Sequence, residues 1–253
     1  MDIFIQFTVF VLLARGGSMT RPRIALLGRF TESASALRYR GVVSSRALLD
    51  LIWVAGGDPV TLLPGADPAA LDWAARLRGF DGVVLAGGGD IDPARYGGDA
   101  EHESVYDVDA VQDESDITLA AYCLTNGVPV LAVCRGLHVV NVVRGGTLVV
   151  DMDENHRHMV QRVPLGPEAR VLGLTGDSVE ISCYHHQAID RLGTGMRIVS
   201  AAEDGTPEAI AIDGPGWAAG VQWHPEDTWS TDAQQVALMA TFVAAASEAN
   251  SPA

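Results

Sequence analysis

Cysteine is scarce: Cys123, Cys134 and Cys183 are the only three in a chain of 253 residues. So few thiols exclude a disulfide framework and point to a reducing, cytoplasmic setting. Positive charge is short too, with 17 Lys and Arg against 32 Asp and Glu and a net charge of −15. Such a surface repels phosphate backbones and anionic lipid, so neither nucleic acid nor membrane is an expected partner. No apolar run is long enough to span a bilayer; the one from Ile3 to Ala14 is short and interrupted. The same stretch lacks the basic start of a signal peptide, carrying Asp2 instead, and has no clear small-x-small cleavage site. Met19 opens a more conventional start, MTRPRIALLGRF. Residues 1–18 are therefore expected to be an appendage or an over-extended start, and residues 19–253 a single domain. Internal repeats, low-complexity tracts and convincing linkers are absent as well.

What is present is an alternation of buried strand and amphipathic helix. RIALLG (23–28), PVTLLP (59–64), DGVVLAGGGD (81–90) and VPVLAVC (128–134) read as strands. Between them, Ser44 and Ser45 can cap a helix through about Ala55, which Gly56 and Gly57 stop. A second helix is expected over 67–77, with Asp67 as N-cap and Pro68 in its first turn. A third covers DESDITLAAYCLTNG (113–127), and a last one runs from Asp232 to about Ala249. Beyond Asp151 the pieces VEISCYHHQAI, MRIVSAAE, EAIAIDG and WAAGVQWHPE are β-like. The pattern implies an α/β protein with a mostly parallel sheet, helices on both faces and a small antiparallel extension.

Reactive groups in such sheets gather beyond the carboxyl ends of the strands, and Cys134 sits at one. A nucleophile in a tight strand-to-helix turn needs small neighbours, which Ala132 and Gly136 provide. A helix starting at the cysteine aims its N–H groups and dipole at the sulfur, favouring thiolate. On this segment alone, a buried thiol acting as a small hydrophobe accounts for Cys134 equally well. VQWHPED offers the base: His224 ends an apolar run, Pro225 fixes the backbone after it, and Glu226 can turn back to orient the imidazole. LAGGGDIDPARYG (85–97) lacks the G-x-G-x-x-G spacing of a dinucleotide site. Its glycines let backbone N–H groups approach a ligand, and that of Gly88, with that of Arg135, can serve an oxyanion. His156, His158, His185 and His186 invite a zinc site, but no carboxylate or cysteine completes a familiar spacing, so no metal is expected. The acidic group Asp107, Asp109, Asp113, Glu114 and Asp116 reads as a solvated loop and helix start, and Cys123 as core.

GGGDIDPARYG, VLAVCRG with NVVRGGTL, YHHQAI and GVQWHPE occur in order between Gly87 and Glu226. In these the chain resembles the class I glutamine amidotransferase-like hydrolases, and within them the γ-glutamyl-γ-aminobutyrate hydrolase branch, the peptidase C26 group. The resemblance implies a flavodoxin-like three-layer α/β/α sandwich. It also implies Cys134 as nucleophile, His224 as base and Glu226 as its orienter, with His185 and His186 near the pocket. The family usually carries Gln four residues after the cysteine, where it helps hold the substrate; here that position is His138. Ser182 and Cys183 stand where Asn-Ser usually precedes the aromatic residue, here Tyr184, and the segment between GGTL and YHHQ is short. His138, Tyr184 and His185 are the expected substrate contacts.

The activity expected is cleavage of a γ-glutamyl amide in a small molecule through a thioester, without a cofactor. One alternative is a glutaminase subunit that passes ammonia to a separate synthetase. Another is a catalytically silent binding module. Oligomeric state is left open between a monomer and a homo-oligomer.

Overall fold

The computed structural model describes residues 20–249 apart from 36, 66, 68, 69 and 155; the expected appendage, residues 1–18, lies outside them. In chain order the first half holds β1 (Arg23–Leu27), β2 (Arg29–Thr31), β3 (Gly41–Val43), α1 (Arg46–Val54), β4 (Asp58–Leu62), α2 (Trp73–Arg76) and β5 (Gly82–Leu85). Then come α3 (Ala110–Asn126), β6 (Val130–Val133), α4 (Arg135–Val143), β7 (Leu148–Val149), β8 (His156–Pro164), β9 (Ser178–His185) and β10 (Ala188–Ile189). The chain closes with β11 (Met196–Ala201), β12 (Pro207–Ile212), β13 (Ala218–Val221), α5 (Pro225–Thr228) and α6 (Ala233–Ala249).

Seven strands make the central sheet, in the order β11-β12-β13-β6-β5-β1-β4. The five from β13 to β4 pair in parallel, and β12 and β11 extend the sheet antiparallel. Parallel strands covered on both faces carry apolar side chains on both faces. In β1, Ile24 and Leu26 join one core with α1 and α6, while Ala25 and Leu27 join a second with α2, α3 and α4. β5 and β6 divide the same way, Val84, Leu131 and Val133 facing the first core and Val83, Leu85, Val130 and Ala132 the second. The result is three layers, α/β/α. Among the described residues no helix is long and apolar enough to cross a membrane.

Local chemistry sets the helix ends. Ser45 caps α1 by accepting from the Leu48 N–H, and Gly56 follows the helix at φ +100°. α3 starts earlier than the acidic run suggests, because Asp109 accepts from both Val111 and Gln112 N–H groups; Gly127 ends it in the left-handed region. Within the span 67–77, α2 covers Trp73–Arg76, and Asp72 supplies its cap by accepting from the Ala75 N–H; the expected first-turn Pro68 lies outside the described residues. β8 and β9 form a separate antiparallel ribbon, with an irregularity at His158, whose φ is +56°.

Candidate active site

β6 delivers Cys134 to the end of the parallel sheet, where its N–H donates to the Val221 carbonyl at 2.8 Å. Its backbone turns to φ 51°, ψ −111°, a conformation that non-glycine residues avoid at a cost of about 1–3 kcal/mol. α4 begins at the next residue, with the Leu137 and His138 N–H groups bonding the Cys134 carbonyl. Gly136 is indispensable to this turn, because a Cβ there would collide with the carbonyl of Leu85 at the end of β5. The tight strand-to-helix turn read from the sequence is therefore present, and it places the thiol beside the glycine loop that follows β5.

His224 arrives from the adjacent strand. Past β13 the chain buries Gln222 and Trp223, and the His224 N–H donates to the Ser182 carbonyl at 2.8 Å. Pro225 opens α5, which carries Glu226 back so that its Oε1 lies 2.9 Å from His224 Nδ1. Burial opposes charging His224, but the neighbouring Cys134 and then Glu226 outweigh it and raise the imidazole pKa. His224 thus stands between Cys134 and a carboxylate, in the setting that favours its charged form. Gly87 gives the pair room: a Cβ there would lie 2.8 Å from His224 Cε1 and 3.7 Å from Cys134 Cβ. The other two thiols have no such setting, and burial alone pushes Cys123 up to about 12.

The cleft over Cys134 is narrow, about 10 Å³, and is lined by Gly88, Tyr106, His138, Tyr184, His185 and His186 among others. All five residues expected beyond the trio, Gly88, Arg135, His138, Tyr184 and His185, border it. His138 is buried, and its Nε2 meets Gln222 Oε1 at 2.8 Å while the Gln222 amide reaches toward Cys134 Sγ at 4.0 Å. Burial, with the neighbouring His185, pushes the His138 pKa down to about 3, so the imidazole is neutral. Tyr184 stands half-exposed on the rim, edge-on to His158. His186 is held between Asp151, 2.8 Å from Nδ1, and Asp90, 3.0 Å from Nε2. A second cavity of about 350 Å³ reaches His224 and Gly87 from beside β1 and α1, and is lined by Arg29, Ser44, Ser45 and Asp227.

One expectation needs correcting. Asp113 and Asp116 are not solvated: both are buried and clamp the buried Arg135 guanidinium, Asp113 Oδ1 at 2.6 Å from Nη2 and Asp116 on Nη1. A helix places residues three apart on one face, and that face turns to α4 rather than to water. No sequence spacing marks the group, but Cys183 and Glu208 stand in space with His156 and His185. His158 and His186 lie outside that group. Sequence reasoning missed Gln222 and Arg29 as well. Gln222 lies inside the GVQWHPE segment, two residues before His224, and that position was its available signal. Arg29 Nη1 is buried against Gly88 with no hydrogen-bond partner among the described residues.

The Peptidase C26 family model matches residues 24–226. The chain belongs to the peptidase C26 family. It is 36% identical over 186 residues to Rv2859c of Mycobacterium tuberculosis, a protein provisionally named as a glutamine amidotransferase. That match covers 69% of this chain and 59% of the relative's own length. It is 28% identical over 218 residues to the γ-glutamyl-γ-aminobutyrate hydrolase of Escherichia coli K12, covering 78% of this chain and 84% of the relative. In fold it is similar to a Thermoplasma acidophilum protein provisionally named as part of a GMP synthase, with a TM-score of 0.65, 13% identity, and 90% and 96% of the two chains covered. This peptidase C26 chain thus stands among the glutamine amidotransferase-like hydrolases of C–N bonds.

Proposed function

We propose that this protein is a cysteine hydrolase that cleaves the γ-glutamyl amide of a small γ-glutamyl amine. The observation that carries the proposal is His224, packed beside Cys134 over Gly87 on one side and hydrogen-bonded to Glu226 on the other. Cys134 Sγ attacks the amide carbonyl carbon, and the oxyanion is held by the N–H groups of Gly88 and Arg135. As the tetrahedral intermediate collapses, the C–N bond breaks and the His224 imidazolium gives its proton to the departing nitrogen. Water then attacks the thioester, His224 takes the water's proton, the C–S bond breaks, and glutamate leaves with the thiolate restored. Glu226 holds the imidazole with Nδ1 toward itself and Nε2 toward the chemistry.

The acyl half of the substrate belongs in the cleft bordered by His138, Tyr184 and His185. The amine half belongs on the His224 side, because His224 protonates that nitrogen. There the second cavity offers about 350 Å³ and is bordered by the Arg29 guanidinium, whose Nη2 also pairs with Asp107. A leaving group as small as ammonia uses none of this space. An amine bearing a carboxylate, such as γ-aminobutyrate, fills it and pairs with the guanidinium. The Escherichia coli relative's name supports the same substrate class.

A panel of γ-glutamyl amines, with and without a carboxylate on the amine, and free glutamine tests the proposal by glutamate release. Release is expected from the carboxylate-bearing amines first and is abolished by Cys134→Ala. Activity retained in Cys134→Ala overturns the mechanism. Release from glutamine alone, and only after a second protein is added, replaces it with a glutaminase subunit serving a synthetase. A cysteine inert to a thiolate-selective alkylator, with silence on the whole panel, leaves a binding module.

A further inference from the structure

Behind the cleft wall, three strands bring four chemically distinct donors to one buried point. Cys183 and His185 lie two apart on the inward face of β9, and His156 pairs with His185 across the ribbon from β8. Glu208 comes from β12 of the central sheet. All four are buried, and their donor atoms lie within 4.8 Å of one another. The imidazoles of His156 and His185 meet at a centroid distance of 5.1 Å.

The hydrogen bonds around the cluster leave its centre under-served. His185 Nδ1 is 2.9 Å from the Gln187 carbonyl and so donates its hydrogen there, turning the Nε2 lone pair inward. Nε2 is buried with no hydrogen-bond partner among the described residues, and it stops 3.8 Å short of Glu208 Oε1. Glu208 is 0% exposed, and its Oε2 is likewise buried without a partner. Glu208 Oε1 is approached by His156 Nδ1 at 3.3 Å and by Cys183 Sγ at 3.8 Å, both long contacts. Behind His156, Asp204 accepts at Nε2, 3.0 Å away. Orphaned buried acceptors of this kind are costly unless something meets them.

We propose that His156, Cys183, His185 and Glu208 form a tetrahedral site for Zn²⁺ or a like divalent transition metal. Two imidazoles, a thiolate and a carboxylate are the donors zinc prefers. One thiolate and one carboxylate also cancel the ion's two charges, which a buried site requires. Zinc distances of about 2.0–2.3 Å set donor separations near 3.5 Å, so closing the site takes side-chain shifts of about 1 Å. The Cys183 proton leaves to solvent as the Zn–S bond forms. Asp204 on His156 and the Gln187 carbonyl on His185 are the outer partners that orient metal-bound histidines. Four protein donors leave no open position, so the ion is structural. It ties β8 and β9 to the sheet and fixes the ring of His185, which also borders the cleft over Cys134.

The test is metal binding in the full chain carrying Cys134→Ala, which removes the reactive thiol as a competing ligand. About one zinc per chain is expected to survive gel filtration, and chelation should lower the melting temperature of the folded protein. Cobalt(II) should give a thiolate charge-transfer band that disappears in Cys183→Ser. Asp204→Asn should weaken zinc binding about 10- to 100-fold. A folded chain that retains no zinc or cobalt and melts identically with zinc and with chelator overturns the site, leaving a His156–Glu208 proton-sharing pair. Undiminished stoichiometric binding in Cys183→Ser with Glu208→Gln, with an unchanged circular dichroism spectrum, overturns it equally. None of these readouts depends on hydrolysis.

Discussion

At Glu226 a single carboxylate oxygen is responsible for the orientation of His224. Replacing it with an amide leaves the size of the side chain and removes the charge. Glu226→Gln should reduce kcat/KM on the order of 100-fold. Its alkaline limb should also move to lower pH, because acylation needs the imidazolium and that form loses a stabilising neighbour. A pH profile of kcat/KM checks both. An unshifted alkaline limb would show that Glu226 does not face the imidazole during turnover. His138 makes the opposite case, a base kept neutral. Its pKa falls to about 3 in the folded chain against about 6.5 unfolded, so between those values the unfolded chain takes up a proton the folded one refuses. Stability present above pH 6.5 is therefore lost as pH falls, at about 1.4 kcal/mol per unit. His138→Gln lacks this group, and urea denaturation should show the variant gaining about 2 kcal/mol relative to the parent chain between pH 7.5 and 5.

Elements differ in how plainly they announce themselves. β1, β5 and β6 are buried on both faces, so each is a short unbroken apolar run that needs no alternation to be read. β8 is exposed along most of its length and irregular at His158, which removes both the run and the period-two pattern. Short α2 depends on Asp72, a cap less obvious in the sequence than the Asp67-Pro68 pair. The same rule governs the site. Cys134, His224 and Glu226 lie in compact segments whose chemistry is local. Gln222 meets His138 across 84 residues, and Asp113 meets Arg135 across 22, separations that no window of sequence spans. In α3 the difference carries an energetic consequence. Its Asp113 is fully buried against Arg135, whereas its neighbour Glu114 is partly exposed. Asp113→Ala should destabilise the fold by about 3 kcal/mol, since it leaves Nη2 of the buried guanidinium and the Asp92 N–H without their partner while Asp116 still holds Nη1. Glu114→Ala should cost under about 1 kcal/mol. Chemical denaturation of the two variants distinguishes a structural clamp from a surface ion pair.

Across the whole molecule, the parallel order β13-β6-β5 sets three consecutive strand ends side by side, and each end carries one part of the proposed chemistry: His224, Cys134 and the glycine loop. The sheet brings them close, but the final spacing is set elsewhere, where the bare Cα of Gly136 rests on the Leu85 carbonyl. That contact works as a gauge block one methyl group too thin for alanine. Gly136→Ala would wedge the first turn of α4 away from β5 while leaving the sulfur chemically intact. Glutamate release should then collapse while Cys134 alkylation proceeds at a comparable rate. The machining tolerance of the active site is thus the thickness of a side chain that the sequence omits.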